Sequence, residues 1–225
     1  MKTLIVVSHP DVAGSNTQQF LKASAEPVPD VTWHQLDDAP LDLEAERQLL
    51  LAADRVVFQF PLYWYSAPAS LKRWLDQVWV RSVVYDDRGG LLNGKSLGLV
   101  VSFSQPEAAY QLGGSEQVSL STLLAPYAAL ARKTGMRLLA PLTISQFAYT
   151  TESDRFALMS RYQQYLSLAH PERFSEQATW WQAQLEARGA TDATAAMMAE
   201  QLALQQEQLE RLQLTVAELK QGEEA

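Results

Sequence analysis

Residues 56–79 read VVFQFPLYWYSAPASLKRWLDQVW, and the stretch changes character twice. It begins as an apolar run of strand length that stops at Pro61, where the ladder loses a backbone donor. Three aromatics, Tyr63, Trp64 and Tyr65, then precede a second proline at Pro68. Beyond it Leu71, Trp74, Leu75 and Val78 recur at helical spacing and share one face. A buried strand, an aromatic loop and an amphipathic helix in that order are half of a βαβ unit.

The same alternation extends in both directions. TLIVVSH near the N-terminus reads as a strand buried on both faces, and GSNTQQFLKASA as a helix with Ser15 as N-cap and Phe20 and Leu21 inward. VTWHQL is a second strand and EAERQLLLAA a helix. After the quoted stretch, SLGLVVSFS is a fourth strand, SLSTLLAPYAALARKTG a helix stopped by Gly135, MRLLAPLTIS a fifth strand and SDRFALMSRYQQYLSLA a fifth helix. Strands alternating with helices imply right-handed crossovers and a parallel sheet covered on both faces. Residues 1–170 suffice for one such α/β domain, and residues 171–225 form a helical extension. Ligands of such sheets bind beyond the carboxyl ends of the strands. The loops His9–Thr17, Pro61–Ser66 and Ser102–Gly114 are therefore the ones to inspect.

A formal charge of -8 opposes nonspecific binding to nucleic acid or to anionic membrane surfaces. The chain has no cysteine, which excludes disulfides, thiolate catalysis and Cys-based zinc sites and fits a cytoplasmic protein. The apolar run between Lys2 and His9 is too short for a signal sequence or a membrane span. His9, His34 and His170 lack metal-ligand spacing, so no metal is expected. Neither G-x-S-x-G nor G-x-G-x-x-G occurs. The pairs Asp37–Asp38 and Asp86–Asp87 read as turn or surface residues.

One motif points elsewhere. Residues 89–96, GGLLNGKS, match the P-loop pattern G-x-x-x-x-G-K-S. A P-loop follows a strand and opens a helix, whereas this segment follows a helix and opens a strand. Lys95 thus lies at the wrong end of the sheet, and the segment reads as a Gly/Asn turn with Lys95 solvated.

In the first loop, the His, Ser and Thr side chains and the free amides of a helix start suit an anionic phosphate; a capped helix with a turn histidine is the plainer reading. The aromatics of the second loop form a wall for a flat ring, or fold under the loop. The third loop, SFSQPEAAYQLGG, is polar and long enough to close over a ligand, and Tyr110 offers it a hydroxyl. In the tail, Met198, Leu202, Leu209, Leu212, Val216 and Leu219, with Gln205 intervening, follow steps of three and four. Such a seam serves either intramolecular packing, for instance on the helix over 174–188, or an oligomeric coiled coil.

Together these loops resemble the flavodoxin-like NAD(P)H:quinone oxidoreductases, most of all the bacterial quinone reductases that include ancillary proteins of glutathione-gated potassium efflux. The resemblance spans about residues 2–170 and is strongest over 56–79; SHP…S-x-x-Q, PEAAY and NGK support it. It implies a flavodoxin-like three-layer sandwich with a five-stranded parallel sheet of order 2-1-3-4-5. It implies a flavin, FMN or alternatively FAD, with NAD(P)H as donor and a quinone or other small molecule as acceptor, in two-electron ping-pong transfer. His9, Ser15, Thr17 and Gln18 would hold the phosphate. Pro61, Leu62, Tyr63, Trp64 and Tyr65 would lie along the isoalloxazine. Ser102, Phe103, Ser104 and Gln105 would face its pyrimidine edge or ribityl side, and Tyr110 would be catalytic. A homodimer is implied, with further assembly through the C-terminal helices. An alternative is a flavin-binding regulatory subunit of a partner such as a potassium efflux transporter. The chain departs from the family at Gln18, where Asn is usual, and at Ser102-Phe103-Ser104, which replaces Thr-Thr-Gly or Thr-Gly-Gly. Ser115 and Glu116 stand near where animal enzymes carry a histidine.

Overall fold

The order of elements follows the hydrophobic pattern closely. The structure is a computed structural model and describes residues 1–81, 83–85 and 90–223. Asp86, Asp87 and Gly89, the first residue of the P-loop-like motif, lie outside the described residues. The elements are β1 Thr3–Val7, α1 Asn16–Ala25, β2 Val31–Gln35, α2 Leu43–Ala52, β3 Arg55–Pro61, α3 Ala69–Val78, β4 Ser96–Phe103, α4 Leu120–Lys133, β5 Arg137–Leu138, β6 Leu142–Ser145, α5 Glu152–Ser167, α6 Phe174–Gly189 and α7 Ala193–Glu223. The chain divides into two units, Met1–Ser167 and Leu168–Ala225.

In the first unit the strands pair in parallel in the order β2-β1-β3-β4-β5, with β6 continuing beside β4. Successive residues of the inner strands feed opposite cores, as a pleated strand requires. Leu4, Val6, Val56, Phe58, Phe60, Leu97, Leu99 and Val101 pack with Leu50 of α2, Leu71 and Trp74 of α3 and Leu124 of α4. Ile5, Val7, Val57 and Val100 pack on the other face with Leu21 of α1 and Leu158, Tyr162 and Leu166 of α5. The architecture is the flavodoxin-like three-layer sandwich that the resemblance implies.

Two expectations change. The single fifth strand splits into β5 and β6. Between their pairings β4 advances from Leu97 to Val100 while the fifth strand advances from Leu138 to Leu142, an extra residue at a segment that ends in the donorless Pro141. Lys95 is not solvated. Its ammonium donates to the carbonyl oxygens of Leu51, at 2.8 Å, and Ala53, capping the end of α2. The lysine of the P-loop-like motif is therefore a structural cap. Gly135 closes α4 as expected, with φ +70°.

In the second unit α7 packs on α6 through small residues. Ala178, Ala195 and Ala199 are buried, and a Cβ on Gly189 would lie 3.1 Å from the backbone of Ala196. Met198, Leu209, Leu212 and Val216 of the heptad seam are exposed, and Leu219 falls outside the side chains described. Among the described residues no helix is long and apolar enough to cross a membrane.

Gly98 of β4 lets α5 approach the sheet. A Cβ there would lie 2.9 Å from the Tyr165 ring and hydroxyl. That hydroxyl accepts from the Leu99 N–H at 2.9 Å, so the ring cannot retreat freely. Gly98→Ala should cost about 1–3 kcal/mol, seen as a lower urea midpoint with an unchanged slope.

Candidate active site

Because β1, β3 and β4 run parallel, their following loops emerge at one edge of the sheet. Two backbone hydrogen bonds tie these exits together. Ser8 N–H donates to Gln59 O at 2.9 Å, and Leu62 N–H to Ser102 O at 2.8 Å.

The first loop turns tightly into α1. Asp11 N–H donates to His9 Nδ1 at 3.0 Å, and Gly14 N–H to the Asp11 carboxylate at 2.8 Å. Burial lowers the His9 pKa in spite of nearby Asp11, so the ring is neutral at pH 7. With Nδ1 accepting, the ring proton resides on Nε2, which is a donor. Ser15 caps α1, its hydroxyl accepting from Gln18 N–H at 3.3 Å. No acidic residue occupies the first turn, and Thr17 is half-buried there. Gln18 itself points inward and is 1% exposed. Its Oε1 accepts from Gln59 Nε2 at 2.7 Å, while its own Nε2 is buried with no partner among the described residues. Orphaned buried donors are rare and call for an explanation.

The second loop is a turn of unusual chemistry. Tyr63 and Ser66 exchange backbone hydrogen bonds at 2.8 and 3.0 Å. Between them Trp64 and Tyr65 both adopt the left-handed region, with φ of 47° and 65°. Two consecutive positive φ values mark a type I′ turn, whose usual residues are Asn and Gly. Placing Trp and Tyr there stores backbone strain, as sites of ligand contact commonly do. The turn lifts the indole of Trp64 off the protein, leaving it 94% exposed. Pro61 is buried at the end of β3 and Leu62 is half-buried, while Tyr63 and Tyr65 are partly exposed. The Tyr63 and His9 rings lie 6.1 Å apart and join this loop to the first.

In the third loop Ser102 is half-buried, and Ser104 and Gln105 are exposed. Phe103 is buried, packed edge-on against Tyr110 at 5.2 Å, so its bulk faces the core side of the loop. Tyr110 is itself only 8% exposed. Burial and then the Glu116 charge raise its pKa. Tyr65 Oη donates to Glu116 Oε2 at 2.8 Å, and that hydrogen bond is the main cause of its own raised pKa. Glu116 thus acts on both phenols, as the main influence on Tyr65 and as an addition to burial at Tyr110. The geometry brings His9 near Tyr63 and Tyr65 against Glu116, and buries Gln18 and Phe103.

The sequence reading noted Glu116 only by its position near the expected histidine and did not nominate Gln59 or Tyr162. Tyr162 Oη donates to Gln59 Oε1 at 2.6 Å. A lone glutamine inside the run VVFQF was the available signal for Gln59, since a buried strand rarely carries an amide without use for it.

The sequence profile described as flavodoxin-like fold matches residues 1–168. The chain belongs to the flavodoxin-like family of NAD(P)H oxidoreductases. It is 41% identical over 159 residues, 69% of this chain and 80% of the relative, to the uncharacterized NAD(P)H oxidoreductase YdeQ of Bacillus subtilis. It is 37% identical over 147 residues, 64% of this chain and 80% of the relative, to the potassium-efflux ancillary protein KefG of Cronobacter sakazakii. An NADPH-quinone reductase from P. pentosaceus superposes with TM-score 0.72 at 44% identity, over 75% of this chain and 99% of that one. General stress protein 14 of Treponema denticola, solved with FMN, superposes with TM-score 0.65 at 30% identity, over 74% of this chain and 97% of that one. The matched family segment ends where the second unit begins.

Two measurements check this geometry. Trp64→Gly removes a left-handed non-glycine and should stabilise the purified protein by about 0.5–1 kcal/mol in urea unfolding. In Glu116→Gln the Tyr65 phenol loses its carboxylate partner, and alkaline absorbance titration should show it ionising at lower pH than in the parent.

Proposed function

We propose that this chain is a flavoenzyme that binds FMN and reduces a quinone or similar small acceptor with electrons from NAD(P)H. The observation that carries this reading is the exposed Trp64 indole, held on a strained turn beside the capped start of α1 and an orphaned glutamine amide. Those features fit the two ends of a flavin nucleotide, a flat ring and an anion. FMN is favoured over FAD by its presence in a structure of 30% identity.

In this reading the first-turn amides of α1, the Thr17 hydroxyl, the Gln18 amide and His9 Nε2 hold the phosphate. Tyr63, Trp64 and Tyr65 present ring faces, and the backbone of residues 61–65 offers polar groups to a heterocycle's edge. The Ser102–Gln105 backbone borders the same pocket. When bound, the flavin supplies a ring that accepts hydride from a nicotinamide and passes two electrons to the acceptor. The chain's part is orientation and electrostatics. Burial and the Glu116 charge keep the Tyr110 phenol protonated, so its hydroxyl serves as the donor to an acceptor's oxygen, whereas the Tyr65 hydroxyl is engaged with Glu116. Tyr110 is assigned the polar contact to substrate. Donor and acceptor use one pocket in turn, as ping-pong transfer requires.

The reading extends to assembly. A groove of about 520 Å³ between α3 and α4, bordered by Leu75, Trp79, Leu123 and Tyr127, is assigned to a second copy of the chain in a homodimer. A supply of NAD(P)H favours the cytoplasm as its compartment. The KefG relative supports a second reading, in which the flavin-loaded chain serves mainly as an ancillary subunit of a transporter. Exposed seam residues on α7 would then be one handle for assembly.

Purified protein should be yellow, release FMN by mass spectrometry and turn over a soluble quinone with NADH or NADPH. Bound flavin with negligible turnover would favour the ancillary reading, and failure to take up any flavin would contradict both. Trp64→Ala should weaken flavin binding roughly tenfold, more than Tyr110→Phe does, because a stacking surface outweighs one hydroxyl. Equal losses would count against the stacking role.

A further inference from the structure

We propose that Tyr162 and Gln59 form a positioning relay that fixes which end of the Gln18 amide faces the anion site at the start of α1. The relay joins three elements. Tyr162 lies on α5, Gln59 at the middle of the sheet in β3, and Gln18 in the first turn of α1. The links are 2.6 Å from Tyr162 Oη to Gln59 Oε1 and 2.7 Å from Gln59 Nε2 to Gln18 Oε1. All three side chains are buried, at 0%, 0% and 1% exposure. Gln18 Nε2 is the end of the relay and has no acceptor among the described residues.

The direction of this chain follows from chemistry. An amide side chain has one acceptor prong and one donor prong, and rotation exchanges them. A phenol in an apolar core stays protonated, and burial indeed raises the Tyr162 pKa far above the ordinary tyrosine range. The phenol therefore offers hydrogen, and Gln59 must present its oxygen to it. That leaves Gln59 nitrogen for Gln18, whose oxygen is thereby engaged. The Gln18 nitrogen is thereby left as the donor end, without a partner among the described residues. In the reversed arrangement the phenol hydrogen would need an acceptor among Ile5, Val7, Leu21 and Val57 of the same cluster. Gln18 would then turn an oxygen toward the anion site and repel a phosphate. The relay makes Gln18 a donor without using a charge.

This inference rests on the flavin reading, and it concerns the phosphate end alone. Its test is the ratio of two affinities, FMN against riboflavin, which share the ring and differ in the phosphate. Titrations following flavin fluorescence should be made on the purified chain, on Tyr162→Phe and on Gln59→Met, with thermal unfolding of each. The parent should prefer FMN. Each variant should lose roughly fivefold to tenfold of that preference while its riboflavin affinity stays near the parent's. The double variant should lose no more than either single, because both interrupt one chain. An unchanged ratio in the variants, with or without a lower melting temperature, overturns the relay and leaves the flavin reading intact. Parent protein that binds neither flavin overturns the flavin reading, and the relay with it. If Tyr162→Phe does not fold, the Gln59→Met ratio decides alone.

Discussion

The position of β3 between β1 and β4 is the constraint from which the rest follows. Its carbonyl at Gln59 receives the Ser8 amide from one neighbour, and the Leu62 amide reaches Ser102 of the other. These bonds hold three loop exits at one sheet edge, at the spacing of adjacent strands. Buried residues on both faces anchor β3 itself, so a one-residue slip would turn Gln59 and its neighbours to the wrong side. The loops need no mutual packing of their own to stay assembled.

At this edge the protein carries several features that are unfavourable in isolation. Trp64 and Tyr65 occupy left-handed backbone, an indole stands in solvent, and an amide N–H lies buried without a partner. Each has a cost of order 1 kcal/mol or more. Elsewhere the same chain resolves some problems of this kind. Lys95 caps two carbonyls of α2, Ser15 and Ser119 cap α1 and α4, and Trp74 Nε1 finds buried Glu46 at 2.7 Å. Orphaned atoms such as Trp33 Nε1 and Arg47 Nε and the left-handed Asp30 lie away from this edge, so it is the coincidence of an exposed indole, two consecutive left-handed residues and a buried amide that sets the edge apart.

Much of this was legible beforehand. Apolar runs bounded by proline and glycine gave the strands, and the aromatic sequence after Pro61 marked the loop that bears Trp64. What escaped depended on contacts distant in sequence. Lys95 reads as a surface lysine until the end of α2 is brought beside it, 42 residues away. The relay joins residues separated by 41 and 103 positions, which no local pattern reveals. Pro141 was visible, but its consequence needed the register with β4. The turn at Trp64–Tyr65 lacked the Asn and Gly that ordinarily announce positive φ, so its composition hid its shape. In α7, periodicity identified a seam, whereas the contact with α6 is made by alanines that a search for large apolar residues passes over.

The account turns on whether the ring-bearing turn and the start of α1 hold the two ends of one nucleotide. A crystal structure determined after soaking with FMN addresses this most directly. It should show the phosphate against the amides of residues 16 and 17 and the isoalloxazine alongside residues 62–65. Density for the flavin at another part of the surface, or none at saturating FMN, would contradict it.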